Sequence, residues 1–311
     1  MNVTYVGIDV SKQHLDLAMA GSGVVRLANS QAGVAGLVER LAQVKPAHVV
    51  CEATGSHTQV LARQLGASGI ALSRVNPRRV RELARASGQL AKTDAIDAAM
   101  ILRFAQIMQP QPDPPPQPHA TELADLVRRR RQLVDMLAAE KQRDGEPEAE
   151  PVRASLKAHM AFMSAQIKDL DAAIAGAIAA DADLKRRAEL LCSIPGIGKT
   201  TAAVLVAELP ELGRIDKKAI AALAGVAPFV RDSGQFRGQA HIAGGRLSVQ
   251  CALYMAAISA IRANPPIKAF YKHLRDAGKP AKLAIVAAMR KLLITANAIL
   301  ATGRPWSTDR P

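Results

Sequence analysis

Four acidic residues fall where short apolar segments end. Asp9 closes VTYVGID, Glu52 closes HVVCE, and Asp94 and Asp97 sit three apart in KTDAID. An i, i+3 pair shares one helix face, so both aspartates can point at a sheet edge from which the strand carboxylates emerge. Four converging carboxylates repel one another unless divalent cations neutralise them, and oxygen ligands beside a substrate phosphate suit Mg2+. A local explanation competes: Asp94 as a helix cap after KT, and Asp9 as a strand-end turn residue. Capping does not account for Glu52, which ends a strand otherwise built of valine and cysteine.

Two further stretches carry phosphate chemistry. In GVAPFVRDSGQFRGQAHIAGGR, residues 225–246, Ser233 stands between Asp232 and Gly234 in a polar loop expected to be flexible, with Arg231, Arg237 and Arg246 nearby in sequence. Guanidinium groups match phosphate oxygens in pairs and could steady a pentacovalent phosphorus at a serine oxygen. On chemistry alone an ordinary exposed Ser-Gly turn fits as well, since no positioned base is visible. The second stretch, IPGIGKTTA, residues 194–202, is not a Walker A loop, because Ser193 stands where that motif needs its first glycine. A Pro-Gly-Ile-Gly turn between apolar helices matches a helix-hairpin-helix instead, in which Gly196, Gly198 and Lys199 would meet a DNA phosphate at a helix N-terminus. The competing view is a plain helix turn.

Charge points the same way. The formal net charge is +14 and the sequence pI about 10.1, which suggests a polyanionic partner, nucleic acid before membrane. The charge is clustered: Arg74, Arg78, Arg79, Arg81 and Arg85; Arg128 to Arg131; and Lys268, Lys272, Lys279, Lys282, Arg290 and Lys291. Arg78 and Arg79 are the phosphate-contact candidates of the first cluster. Four consecutive arginines wrap around a helix, so part of that charge is expected to be solvated. Aromatic residues, 3% of the chain, are too scarce for a single-strand stacking platform.

The elements that must position these groups follow from periodicity. Three sequential strands (VTYVGID, LDLAMAG, VVRLAN), then HVVCEATG and IALSRVN separated by amphipathic helices, predict a mixed α/β sheet with antiparallel strands first. The proline run at 110–119 cannot continue a helix. From Thr121 to about Glu189 an Ala/Leu/Glu/Lys/Arg helical period, broken at GEPEAEP, predicts a two-helix hairpin or coiled coil. Beyond Leu190 short helices broken by glycine predict an α-rich unit. The expected domains are therefore 1–109, 110–189 and 190–311. Cys51, Cys192 and Cys251 are odd in number and each set among apolar residues, so core packing is expected rather than a disulfide or zinc site. No run is read as long enough to span a membrane and no signal peptide opens the chain, which leads to the expectation of a cytoplasmic protein.

Taken in order, GIDVSKQHLDLA, CEATGSH, NPRRVRELARASG through KTDAIDA, SIPGIGKTTA and LAGVAPFVRDSGQFRGQAHIAGGR closely resemble the insertion-sequence-110 family of bacterial transposases, over nearly the whole chain. The resemblance implies a RuvC-like, ribonuclease H-like N-terminal domain whose DEDD quartet falls on Asp9, Glu52, Asp94 and Asp97, with Mg2+ as cofactor. It implies a C-terminal transposase domain whose nucleophile falls on Ser233, which would form a phosphoserine link to DNA during strand exchange. Members are guided by a bridge RNA that pairs with donor and target DNA. They assemble as homo-oligomers, dimer or tetramer, the RuvC-like domain of one subunit meeting the transposase domain of another. The family pattern also leads to an expectation of more basic residues at Ala240 and Gln250. Alternatives on the residues are a RuvC-like nuclease using water as nucleophile, an actin-like ATPase whose first strand also ends GID, and a non-catalytic DNA-binding scaffold.

Overall fold

Val6, Ile8 and Val10 alternate with Gly7 and Asp9 along the first strand, so period two assigns its two faces different work. The computed structural model describes residues 3–44, 47–53, 55–89, 91, 93–113, 118–145, 149–229, 232–233, 236–238 and 241–307, with backbone alone at 55, 56, 118, 232, 233, 236 and 237. The chain divides into two units, 1–117 and 118–311.

In the first unit, β1 (Thr4–Val10), β2 (His14–Met19), β3 (Val25–Ala28), α1 (Gln31–Ala42), β4 (Ala47–Glu52), α2 (Gln59–Ala67), β5 (Ala71–Val75), α3 (Pro77–Ala86) and α4 (Asp94–Met108) follow in order. The five strands form one sheet, β3-β2-β1-β4-β5. The first three are antiparallel neighbours, while β1–β4 and β4–β5 are parallel. This is the mixed sheet expected from the strand pattern, and it is compatible with a ribonuclease H-like domain. Val6, Ile8, Leu15 and Leu17 pack with α1 and α2 through Val34, Leu37, Leu61 and Leu65. On the opposite face Val50 and Val75 pack with Val80 and Ala84 of α3 and Ile101 and Phe104 of α4. Gly7 lies under α4 so closely that a Cβ there would overlap the backbone of Ala98 and Leu102. That close approach brings the helix down onto the middle of the sheet.

The described start of the proline segment, residues 110–113, docks on β5. Asp113 N–H donates to Leu72 O at 2.7 Å, the Ser73 hydroxyl donates to Gln111 O at 2.7 Å, and Arg74 Nε meets the Asp113 carboxylate at 2.6 Å. Buried His48 stands 2.8 Å from Ser73 Oγ. Burial pushes the His48 imidazole below its ordinary value, with Asp113 opposing. A histidine with a depressed folded-state pKa binds its proton more readily in the unfolded chain, so its contribution is intact above about pH 6.5 and is lost as pH falls below that. Urea unfolding of the first unit is therefore expected to show a falling midpoint from pH 7.5 to 5, with a shallower fall in His48→Gln.

The second unit holds α5 (Pro118–Arg143), α6 (Glu150–Ala180), α7 (Ala182–Cys192), α8 (Lys199–Glu208) and α9 (Lys217–Leu223). Four two-residue strands follow: β6 (Pro228–Phe229), β7 (Asp232–Ser233), β8 (Phe236–Arg237) and β9 (His241–Ile242). The chain then continues as α10 (Leu247–Ala263), α11 (Pro265–Asp276) and α12 (Ala281–Thr302). Ion pairs Arg130–Asp171 and Glu140–His159 run in opposite senses along α5 and α6, which makes the pair antiparallel. Leu123 and Val127 of α5 join the same core as Leu191, Leu205, Leu253 and Leu292. Within that core, Asn297 of α12 pins the chain around Gly213, accepting from Gly213 N at 2.7 Å and donating to Ile215 O at 2.9 Å.

Three expectations need correction. α12 is long and apolar enough to cross a membrane by length and composition, contrary to the reading that no run reaches that length. Its Ala284, Ala288, Leu292, Leu293 and Ala296 are buried in the core of the unit, which accounts for the apolar stretch. Of the cysteines only Cys51 is buried, its thiol pushed up to about 12 by desolvation, whereas Cys192 and Cys251 are exposed. Each has apolar residues on both sides within two positions, but helix rotation turns these two cysteines outward. Lastly, the segment at 225–246 is not a plain flexible loop, because two short antiparallel ladders run through it.

Candidate active site and nucleic-acid contacts

Gly7 faces α4, and alternation therefore puts Asp9 on the same face. Asp9 pairs in register with Asp16 of β2, and Gly7 with Val50 of β4, so Asp16 and Glu52 belong to that face as well. Thr93 caps α4 by accepting from Ile96 N, which leaves Asp94 and Asp97 in the first helical turn rather than at the cap. Helix and strand geometry thus bring the acids named above toward one side of the sheet. Asp9 is half-buried and its carboxyl is held above the usual range, first by desolvation, then by the charges of Asp97, Asp94 and Asp16. These neighbouring charges oppose ionisation of Asp9.

Asp16 was not singled out in the sequence, although an acid flanked by Leu15 and Leu17 in a buried strand is itself a signal. It is 3% exposed, and a buried carboxylate needs a partner. Arg26, on β3, supplies it with a two-toothed grip, Nε to Oδ1 at 2.8 Å and Nη2 to Oδ2 at 3.0 Å. The same Nη2 reaches the Asp94 carboxylate at 2.8 Å. Arg26 thereby joins β2, β3 and the start of α4. Among the described residues, no three acidic, histidine or cysteine side chains gather closely enough to ligate one ion. The donor set still suits a hard divalent cation: all-oxygen ligands, and an Asp9 whose ionisation is opposed by burial and by like-charged neighbours. Arg26→Gln is expected to lower the urea midpoint of the first unit with little change in slope, because Asp16 is left buried without its partner. Added Mg2+ should raise that midpoint more in the variant than in the wild type.

The phosphate candidates divide into four kinds. Arg78 is exposed and pairs with Glu82 at 2.8 Å, and Arg79 lies over the Phe104 ring at 5.2 Å. An exposed i, i+4 pair is weak enough for a polyanion to compete with it. Gly196, Gly198 and Lys199 form the turn from α7 into α8. Gly196 has φ 106 and sits against Ala260 of α10, where any side chain would collide. Gly198 is the N-cap and Lys199 the first residue of α8, both exposed, and no side chain caps the helix start. Arg246 is engaged inside the unit: its guanidinium forks onto Glu211 at 2.6 and 2.7 Å and donates to Glu208 O at 2.8 Å. Arg231 and Ala240 lie outside the described residues. Ser233 and Arg237 are described in backbone only, Ser233 in register with Phe236 and Arg237 with Asp232.

The basic run 128–131 is largely paired on its own surface. Arg128 meets Asp125, Arg130 meets Asp171 and Arg131 meets Asp135. Glu208, at the end of α8, is held above the usual carboxylate range by burial, with Arg128, Arg131 and Arg246 pulling the other way, and the Ser248 hydroxyl donates to it.

Comparison with known proteins gives the chain its relatives. Residues 6–144 match the IS110-type DEDD transposase family, and residues 188–272 match the transposase family IS116/IS110/IS902. A pilin gene-inverting protein of Moraxella bovis is 29% identical over 98% of both chains, and one of Moraxella lacunata 28% identical over the same share. An uncharacterised 43.6 kDa protein of insertion element IS110 from Streptomyces coelicolor is 28% identical over 39% of this chain and 31% of its own. The first match spans β1 to α5 and so contains Asp9, Glu52, Asp94 and Asp97; the second spans α7 to α11 and contains Ser233. With both halves matched in order, the chain belongs to the IS110 family of transposases and is a DNA transposase or recombinase.

Proposed function

We propose that the chain catalyses strand exchange between donor and target DNA through a phosphoserine intermediate at Ser233, assisted by the carboxylates Asp9, Glu52, Asp94 and Asp97. The observation that carries this reading is the shared α4 face of Asp9, Glu52, Asp94 and Asp97, with Asp9 above its usual range beside Asp97, Asp94 and Asp16. Those four family-matched acids would hold Mg2+, which supplies Lewis-acid polarisation of a phosphoryl oxygen. Ser233 Oγ attacks the scissile phosphorus; a bond forms from phosphorus to serine oxygen, the bond to one deoxyribose oxygen breaks, and the proton lost by the serine hydroxyl is in net taken up by that leaving oxygen. The phosphodiester energy is kept in the serine ester, so a hydroxyl of the other DNA can displace the serine without a hydrolytic gap.

The DNA grip is sequence-independent in this reading. Arg78 and Arg79 from α3, and the amides and Lys199 at the start of α8, take backbone phosphates, the latter as a helix-hairpin-helix. Arg231 and Arg237 are assigned to phosphate near the serine. Arg246 holds the protein rather than the DNA, as its fork onto Glu211 supports. Sequence choice falls to a bridge RNA, a reading supported by the family resemblance and the net charge of +14. The functional parts are proposed as residues 1–109, a coiled-coil hairpin in 110–189, and 190–311, working as a homo-oligomer in the cytoplasm.

The test is recombination in cells between a donor plasmid with the gene's native flanks and a target plasmid, with and without the flank that would encode the guide, alongside a search for a protein–DNA adduct. Exchange that needs the flank and passes through an adduct supports the whole reading. Exchange without the flank removes the guide RNA. Cleavage with no adduct turns the reading to a water-using nuclease.

A further inference from the structure

The segment that carries Ser233 leaves the helical core after α9 and returns at α10, and its two ends meet in a narrow neck. Gly225 and Gly245 both have positive φ, 70 and 81, and lie against each other; a Cβ on Gly245 would overlap the backbone of Gly225. A Cβ on Gly225 would overlap the Gln250 amide and Gly244 O. Gln250, in the first turns of α10, donates from Nε2 to both sides of the neck, to Gly225 O at 3.1 Å and Gly244 O at 2.7 Å. Arg246 N donates to Leu223 O at 3.1 Å just below, and the Arg246 guanidinium fixes the same corner to the end of α8 through Glu208 O and to the turn after it through Glu211.

Above the neck the two arms pair, Pro228 with Ile242 and Phe229 with His241, and further out Asp232 pairs with Arg237 and Ser233 with Phe236. Each ladder is only two residues long, too short to hold its own register. The base must therefore set it.

We propose that Gln250 is a positioning residue for strand exchange: its amide clasps the neck and so fixes the ribbon that presents Ser233. The proposal rests on Ser233 being the nucleophile. It also explains why a neutral amide, and not a basic side chain, stands at 250: two carbonyls converge there, and one NH2 group supplies both donors with no charge to desolvate. A carboxylate would offer no donor and would set acceptors against acceptors.

The experiment uses the full chain with its donor and target DNA, comparing wild type, Gln250→Met and Gln250→Glu. Methionine keeps length and flexibility and removes both donors; glutamate removes both and adds repulsion. Adduct formation is expected to slow by roughly 10- to 100-fold in Gln250→Met and further in Gln250→Glu, since an error of about 1 Å at a nucleophile costs on the order of 100-fold. DNA affinity should stay within about twofold. The Gln250→Glu defect should lessen as pH falls, because a protonated carboxyl regains one donor. Amide exchange in peptides spanning 225–245 should quicken in both variants. An adduct rate in Gln250→Met within threefold of wild type, unchanged exchange in those peptides, or loss of DNA affinity in step with rate would each overturn the clasp. If wild type forms no Ser233-dependent adduct, the serine reading fails by itself, and amide exchange alone decides whether Gln250 holds the neck.

Discussion

Ser233→Ala is expected to reduce strand exchange by at least about a thousandfold and to eliminate the protein–DNA adduct, with DNA binding and melting behaviour close to wild type. The size follows from removing a nucleophile rather than a helper: with no oxygen to take the phosphorus, the remaining groups contribute only binding and electrostatics. The side chain is small and sits in a two-residue strand whose backbone pairing with Phe236 does not depend on it, so stability should be spared. Exchange and adduct are read together. A variant that loses the adduct yet still cleaves DNA at a comparable rate would make the reaction hydrolytic, and the acids would then work with water.

Asp9→Asn is expected to separate activity from stability. Activity should fall by about 100- to 1000-fold or more, the scale seen when one preorganised electrostatic group is lost from a phosphoryl or acyl transfer site. Stability of the metal-free protein should hold or rise. Asp9 sits above its usual carboxylate range through burial and through Asp97, Asp94 and Asp16. An acid whose folded-state pKa is raised contributes fully only below its unfolded value and loses that contribution as pH rises through the folded one, so near neutrality its charge is a cost. The neutral amide keeps the shape and drops the charge. Urea unfolding at pH 7.5 in chelator should give a midpoint at or above wild type, and added Mg2+ should raise it less than in wild type. A lower midpoint in chelator would mean that Asp9 is structural and that its charge is already compensated.

Much of the first unit could be read from the chain alone. Three strands in succession followed by strands spaced by helices led to the mixed sheet, because a hairpin needs only a short turn while a parallel neighbour needs a crossover. The strand ends that carry Asp9 and Glu52 were legible as well, whereas the face they share follows from the register of β1 against β2 and β4. The antiparallel hairpin in the second unit and the break between helices at residues 193–198 were legible for the same reason: periodicity and glycine act within a few residues.

What lay beyond the chain alone was which charges find each other. Arg26 holds both Asp16 and Asp94, the second 68 residues away, and that partnership depends on the register of a hairpin and on where α4 lands over Gly7. Nearness to Ser233 in sequence makes Arg246 a candidate phosphate ligand, yet its guanidinium is on Glu211, 35 residues earlier. The sequence pattern calls for a basic residue at 250, whereas the fold brings two carbonyls together on the Gln250 amide. The residue types and their local periodicity determined which elements form, which strand ends carry an acid, and that the partner is a polyanion. Only the tertiary structure decided which of those acids and arginines are already engaged, because an ion pair or a bridging amide is set by the docking of elements distant in sequence, to a few tenths of an ångström, and no local pattern encodes that distance.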